Sequence, residues 1–434
     1  FAFLHLGVPL GIILTALAAF QTQISCKLYL QTRSMIPGKL ESYYELGFML
    51  YGRPSIYYIS TVIAIQAFGL MMVYFIVFAD ISRSIVVQVF ELAPSSVFSS
   101  RACYCAILGV GLFPQIIKKE LKELKIASII LFVGISTFLA VLADELVMGG
   151  ESANHDKSFE AYWSLGYDVS AVKGASFILV AFGLQCSLFP LFNSLAIQTN
   201  ANALNAVSLS LYACFGVYVA TGLLGLFVFG SVLEESVLTN VGGLGNWQSF
   251  LLRTIFLVVL GCHIPFLFFA GKEALLIIID EFNRQSISKA LGGKLSGMTN
   301  MAEQLVPYDF QIEESDEEVE KTADPAPPQR KTLAYKQMPY HIYFCATTLL
   351  YLTEIAGAII IQNIGTIFEI VSAVCCCNMA FFLPAAFYLM AEHKYSSILE
   401  KQQNHGYRRL SITFIILGLV AFALLIGVAL ADLL

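Results

Sequence analysis

Between Phe182 and Asn193 the chain reads Phe-Gly-Leu-Gln-Cys-Ser-Leu-Phe-Pro-Leu-Phe-Asn: a glycine, polar side chains and a proline inside an apolar run that begins at Ala171. A helix whose only task is to sit in lipid has no use for them. Backbone groups released at membrane depth must find partners in protein or in a water-lined cavity, and discontinuous helices of this kind build the midplane solute sites of secondary transporters. The residues expected to line such a site are Phe182, Gly183, Leu184 and Gln185. Gly183 permits the dihedral angles of an unwound turn and the close approach of a ligand. Gln185 offers an amide to an amino or carboxylate group, or else is satisfied by a neighbouring helix.

Two ionisable residues stand inside other apolar runs. His263, in Gly261-Cys262-His263-Ile264-Pro265, is the only histidine deep in a span. Such groups are costly in lipid and face a cavity or a partner, and a neutral imidazole carries protons near neutral pH. The alternative is a packing histidine bonded to a backbone carbonyl. Glu354 is the only acidic residue of its span; a lone carboxylate there is protonated or paired, as a proton relay or as a hydrogen bond to a neighbouring helix. Enzymatic chemistry finds no footing. There is no phosphate-binding glycine loop, no His-Glu-x-x-His and no Cys-x-x-Cys, and no cofactor or metal site is expected. Cys375, Cys376 and Cys377 point to different faces of a helix, and with the other apolar-span cysteines they read as packing side chains.

The elements that must position these residues are membrane helices. Hydrophobic residues make up 57% of the chain and charged ones 13%, with mean hydropathy +0.74, which marks an all-α polytopic membrane protein. A net charge of -6 gives no reason to expect a nucleic-acid partner. Ten spans are expected: Phe3 to Leu30, Tyr58 to Phe78, Cys103 to Ile116, Ile126 to Ala143, Ala171 to Phe192, Ala206 to Val232, Phe250 to Ile279, Ile342 to Ile361, Ile364 to Met390 and Leu410 to Leu433. Counted on alternate sides, one set of loops holds twenty of the 25 basic residues and is therefore cytoplasmic. The opposite set holds Arg83, Arg101, Lys157, Lys173 and Arg253. Parity places Phe1 outside, which leads to the expectation that a helix precedes it.

One segment, 283–338, is too acidic and proline-rich to bury a core, and reads as a mobile cytoplasmic linker between membrane units 1–282 and 339–434. Ser286, Ser288 and Ser315 are its candidate modification sites, against a plain solvated tether. The outer loops contain no Asn-x-Ser/Thr acceptor, which favours an organelle membrane (vacuolar, lysosomal or mitochondrial) over the plasma membrane.

In order and spacing, a further set of residues resembles the amino acid/auxin permease family over nearly the whole chain. They are Ser42-Tyr43-Tyr44-Glu45-Leu46, Phe68-Gly69, Tyr74, Asp80, Phe113-Pro114, Phe189-Pro190-Leu191-Phe192-Asn193, Gly225 to Gly230, Asn363-Ile364-Gly365 and Phe382-Leu383-Pro384. The resemblance implies a LeuT-like inverted repeat of eleven helices, of which these ten spans correspond to helices two to eleven. It also implies an amino acid substrate in the lipid bilayer, held between the broken first and sixth helices. His263 falls close to where sodium-coupled relatives place a hydroxyl that ligates the ion, which favours proton coupling or none. Two functions stay open: a secondary transporter of small neutral or cationic amino acids, or a transport-inactive structural or sensing subunit with partner subunits in a membrane complex.

Overall fold

The computed structural model describes residues 1–36, 40–91, 96–119, 124–148, 163, 166, 169–243, 247–293, 338–361, 363–395 and 405–433. Most of the linker at 283–338, Ser315 included, lies outside the described residues. Within them every regular element is helical. Among the described residues nine helices are long and apolar enough to cross a membrane, and Arg101–Ile116 is a shorter apolar one, so the chain is an all-α polytopic membrane protein.

The chain opens with α1 (Ala2–Leu6) and α2 (Val8–Met35). The expected continuous span from Phe3 to Leu30 is corrected here: Gly7 breaks it, with φ 74° and ψ 159°, a backbone region that glycine alone enters cheaply. The amphipathic α3 (Tyr43–Tyr51) starts where the Ser42 hydroxyl accepts from the Glu45 amide at 3.2 Å, while the Glu45 carboxylate accepts from the Glu41 amide at 2.8 Å. It ends at Gly52, φ 76°, whose amide closes on the Phe48 carbonyl.

Next comes α4 (Arg53–Phe90), which far outruns the expected Tyr58 to Phe78. At about 1.5 Å per residue it is roughly 57 Å long, more than an untilted crossing of a bilayer core needs. It is the central post, packed along α11 (Trp247–Asn283), α5 (Arg101–Ile116) and α13 (Tyr340–Ile360). Around it lie α6 (Leu124–Met148), α7 (Val169–Ala181), α8 (Leu188–Ser194), α9 (Asn200–Phe229) and α10 (Val237–Gly243). A short helix α12 (286–293), α14 (Ile364–Val371), α15 (Leu383–Tyr395) and α16 (His405–Leu433) complete the order.

Residues that loop counting assigned to one side of the membrane meet at one end of the bundle. Arg53 pairs with the buried Glu281 at 2.8 Å, and Lys394 donates to the Met49 carbonyl at 2.9 Å. At the other end Arg101 pairs with Asp80 at 2.8 Å, and the buried Arg253 donates to Ser84 and Gln88 at 2.9 and 2.6 Å. Lys272, buried on α11, uses its ammonium on the carbonyls of Ile116 and Lys118 and on the Tyr343 hydroxyl, at 3.0, 2.9 and 3.0 Å. It ties the end of α5 to α11 and α13.

Both borders of the long insert meet in one apolar cluster: Ile287 and Leu291 of α12 pack with Met338, Tyr343, Ile56, Leu276 and Ile277. The cost of joining two ends that are already held together changes only slowly with loop length, by about 0.6 kcal/mol per doubling. Replacing 296–335 with a short Gly-Ser linker is therefore expected to leave the melting temperature of the detergent-solubilised protein within about 2 °C of the parent. A large drop would show that the insert supports the fold.

Candidate functional site

The helix that begins at Val169 stops at Ala181, passes through Phe182 and Gly183 outside helical geometry, makes a 3-10 turn over Leu184–Ser187 and resumes as α8. Pro190 contributes to the interruption because it has no amide to return to the Cys186 carbonyl. Three carbonyls at the break accept from hydroxyls of three other helices, and those of Phe182 and Gln185 accept from the Leu184 and Leu188 amides as well. Tyr218 of α9 donates to the Ala181 carbonyl at 3.0 Å, Thr22 of α2 to that of Phe182 at 3.2 Å, and Tyr43 of α3 to that of Gln185. Such partners are what irregular backbone inside a membrane requires. Burial pushes the Tyr43 hydroxyl well above its ordinary value, so it stays protonated and stays a donor. Its ring lies edge-on to Phe189 and Tyr29, at 4.5 and 4.9 Å, and walls one side of the break.

The structure brings Phe182 and Gln185 together through Thr22. The Gln185 amide nitrogen donates to the Thr22 hydroxyl at 3.1 Å, so in this state the amide is held by a neighbouring helix. The Phe182 ring stands edge-on to Tyr218 at 5.2 Å, and Leu184 packs against the core. Gly183 sits in the unwound turn, as expected. Its backbone, φ -69° and ψ 32°, is outside the positive-φ region that glycine alone enters cheaply, so that region is not what glycine supplies here. Space is: a Cβ would sit 3.1 Å from the Gln66 amide nitrogen and 3.1 Å from the Val180 carbonyl. Gln66, buried on α4, accepts from the Cys186 thiol at 2.9 Å, and its nitrogen has no acceptor among the described residues. Sequence reasoning passed over Thr22, Tyr43, Gln66 and Tyr218 as site residues. The usable signal was Gln66, a lone amide inside the apolar Tyr58 to Phe78 run.

A second irregular stretch lies beside the first. Between α14 and α15 the helix widens into π turns at Ser372–Cys376 and Asn378–Phe382, a form frequent at functional sites. Pro384 explains part of it, since it offers no amide to the Ala380 carbonyl. One face of α2 fills the gap. Gln21 donates to the Ala380 carbonyl at 2.6 Å, and Tyr29 and Ser25 donate to that of Met379 at 2.8 and 3.5 Å. Cys375, Cys376 and Cys377 are buried in this stretch as free thiols, the first two within a π turn and Cys377 between the two turns.

The other two expected residues stand on other helices. His263 is half-buried on α11, its ring 6.1 Å from Phe266. Glu354 is buried on α13, whose main contacts are α4, α5 and α11 rather than the broken helix. Its Oε2 has no hydrogen-bond partner among the described residues. The neighbouring Tyr351 is ringed by Phe75, Phe113 and Phe268. The break can thus offer main-chain carbonyls to a cation and the Gln66 amide to an anion, while a carboxyl lies elsewhere in the core.

Over residues 1–431 the sequence matches the family described as transmembrane amino acid transporter protein. It is also similar to Vacuolar amino acid transporter 7 of Saccharomyces cerevisiae, with 22% identity over 246 residues, 56% of this chain and 48% of that protein. The match spans about half the length of that curated relative.

Proposed function

The chain belongs to the transmembrane amino acid transporter protein family, and from that premise we propose that it is a secondary transporter of small neutral or cationic amino acids, proton-coupled or uncoupled. It works by alternating access around the break at Phe182, Gly183, Leu184 and Gln185. The observation that carries this reading is the interrupted backbone from Phe182 to Ser187, enclosed by Thr22, Tyr43, Gln66 and Tyr218. A substrate ammonium takes the place of the hydroxyl donors on the Phe182 and Gln185 carbonyls, and Gln66 meets the carboxylate. An organelle membrane is the proposed location, supported by the similarity to a vacuolar transporter of yeast.

Uptake of a labelled amino acid panel by the full-length protein in proteoliposomes, with and without a pH gradient, tests it. Absence of uptake for every amino acid would leave the reading as a structural or sensing subunit, which the already satisfied carbonyls of the break also accommodate.

Glu354 is the proposed proton carrier, supported by its burial and its bare Oε2, with His263 as the second candidate. Glu354→Gln keeps the shape and removes the titrating group. If transport is proton-coupled, the ratio of uptake with a pH gradient to uptake without one is expected to fall to about one in this variant. Retention of the parent's ratio, with loss in His263→Gln instead, would move the role to His263.

A further inference from the structure

The two irregular stretches share a strut. Thr22, fully buried on α2, accepts from Gln185 Nε2 and has one hydroxyl proton to give. Two acceptors compete for it, the Phe182 carbonyl at 3.2 Å and the Oε1 of the adjacent Gln21 at 3.5 Å. Gln21 in turn donates at 2.6 Å to the Ala380 carbonyl, which Pro384 leaves without an α-helical donor.

The geometry points to Thr22 and Gln21 as positioning residues that couple occupation of the break to the π-helical stretch Ser372–Phe382. This rests on the break being the substrate site. A cation arriving at the Phe182 carbonyl displaces the Thr22 proton, which turns to Gln21 Oε1. The Gln21 amide is drawn toward Thr22 and loosens its hold on Ala380. Because one proton cannot serve both acceptors, the pair has two discrete arrangements, the physical requirement for coupling between sites.

Hydrogen exchange read by mass spectrometry on the full-length protein in nanodiscs tests it, with L-alanine, L-glutamine and L-arginine as separate probes. In the parent protein, an amino acid that is taken up should alter exchange both at 182–187 and at 372–382. In Thr22→Val the response at 182–187 remains, while the response at 372–382 falls about fivefold or more. Thr22→Ser, which restores the hydroxyl, should restore it. Gln21→Met should give the same loss with Thr22 intact, which guards against a Thr22→Val protein that fails to fold. In transport, Thr22→Val should lower the maximal rate more than it raises KM, and Thr22→Ser should recover it. A full response at 372–382 in Thr22→Val and Gln21→Met overturns the coupling, as does a parent protein that responds at 182–187 alone. A parent protein that responds to no probe at 182–187 overturns the site and the coupling together.

Discussion

Gly183→Val is expected to cut amino acid uptake about tenfold or more while the protein still inserts and folds. The backbone at this position, φ -69° and ψ 32°, lies outside the positive-φ region that favours glycine, and the effect is argued from volume. The first added carbon already lies 3.1 Å from Gln66 Nε2 and from the Val180 carbonyl, tighter than ordinary packing, and valine adds two more methyl groups around it. The Gln66 amide must swing away, which disturbs its bond from Cys186 and fills the space offered to a solute carboxylate. Gly183→Ala should show a smaller loss of the same kind, about two- to threefold. Uptake in proteoliposomes, normalised to correctly folded protein by size-exclusion chromatography, checks both. Unchanged uptake in Gly183→Val would mean that solute does not pass between Gly183 and Gln66.

The second large effect is on stability. Lys272→Met should destabilise the protein by about 3 kcal/mol, because hydrogen bonds from a charged donor contribute about 1.5–3 kcal/mol each and part of that loss is recovered by methionine packing. The ammonium now serves the Ile116 and Lys118 carbonyls and the Tyr343 hydroxyl, and it sits 3.6 Å from the Phe269 ring centre. Carbonyls at the C-terminal end of a helix have no donors of their own, and a cation is the favoured partner there. Methionine matches the length of the lysine stem but donates nothing. The measurement is the melting temperature in detergent, expected to fall by about 5 °C. Exposed Lys289→Met is the control and should not move it. An equal melting temperature for Lys272→Met would show that the α5 carbonyls are hydrated without the lysine.

What could be read from the residues was whatever is encoded locally. Hydropathy placed the spans because twenty apolar residues are needed to cross a bilayer wherever they occur. Gly183 and Pro190 announced the interruption because each changes what its own backbone can do. Gly7 carried an equally local signal, a glycine two residues before Pro9, and was read through as continuous helix. Which group comes near Gly183 was not legible, because Gln66 approaches from another helix. The hydroxyl caps lay out of reach for the same reason. Thr22 and Phe182 are 160 residues apart in sequence and 3.2 Å apart in the fold. The π stretch combines both difficulties: Pro384 marks it locally, but the widened turns survive because Gln21, Ser25 and Tyr29 supply donors from a distant part of the chain.

The hydroxyls at the break carry one more implication. Each carbonyl there that meets Tyr218, Thr22 or Tyr43 has a neutral donor in the absence of any solute. A carrier whose cradle is bare when unloaded is penalised for swinging back empty and is confined to one-for-one exchange. On the proposed reading of the break as the substrate site, the unloaded protein returns with its own side chains standing in for the cargo, the step that permits net filling of a compartment.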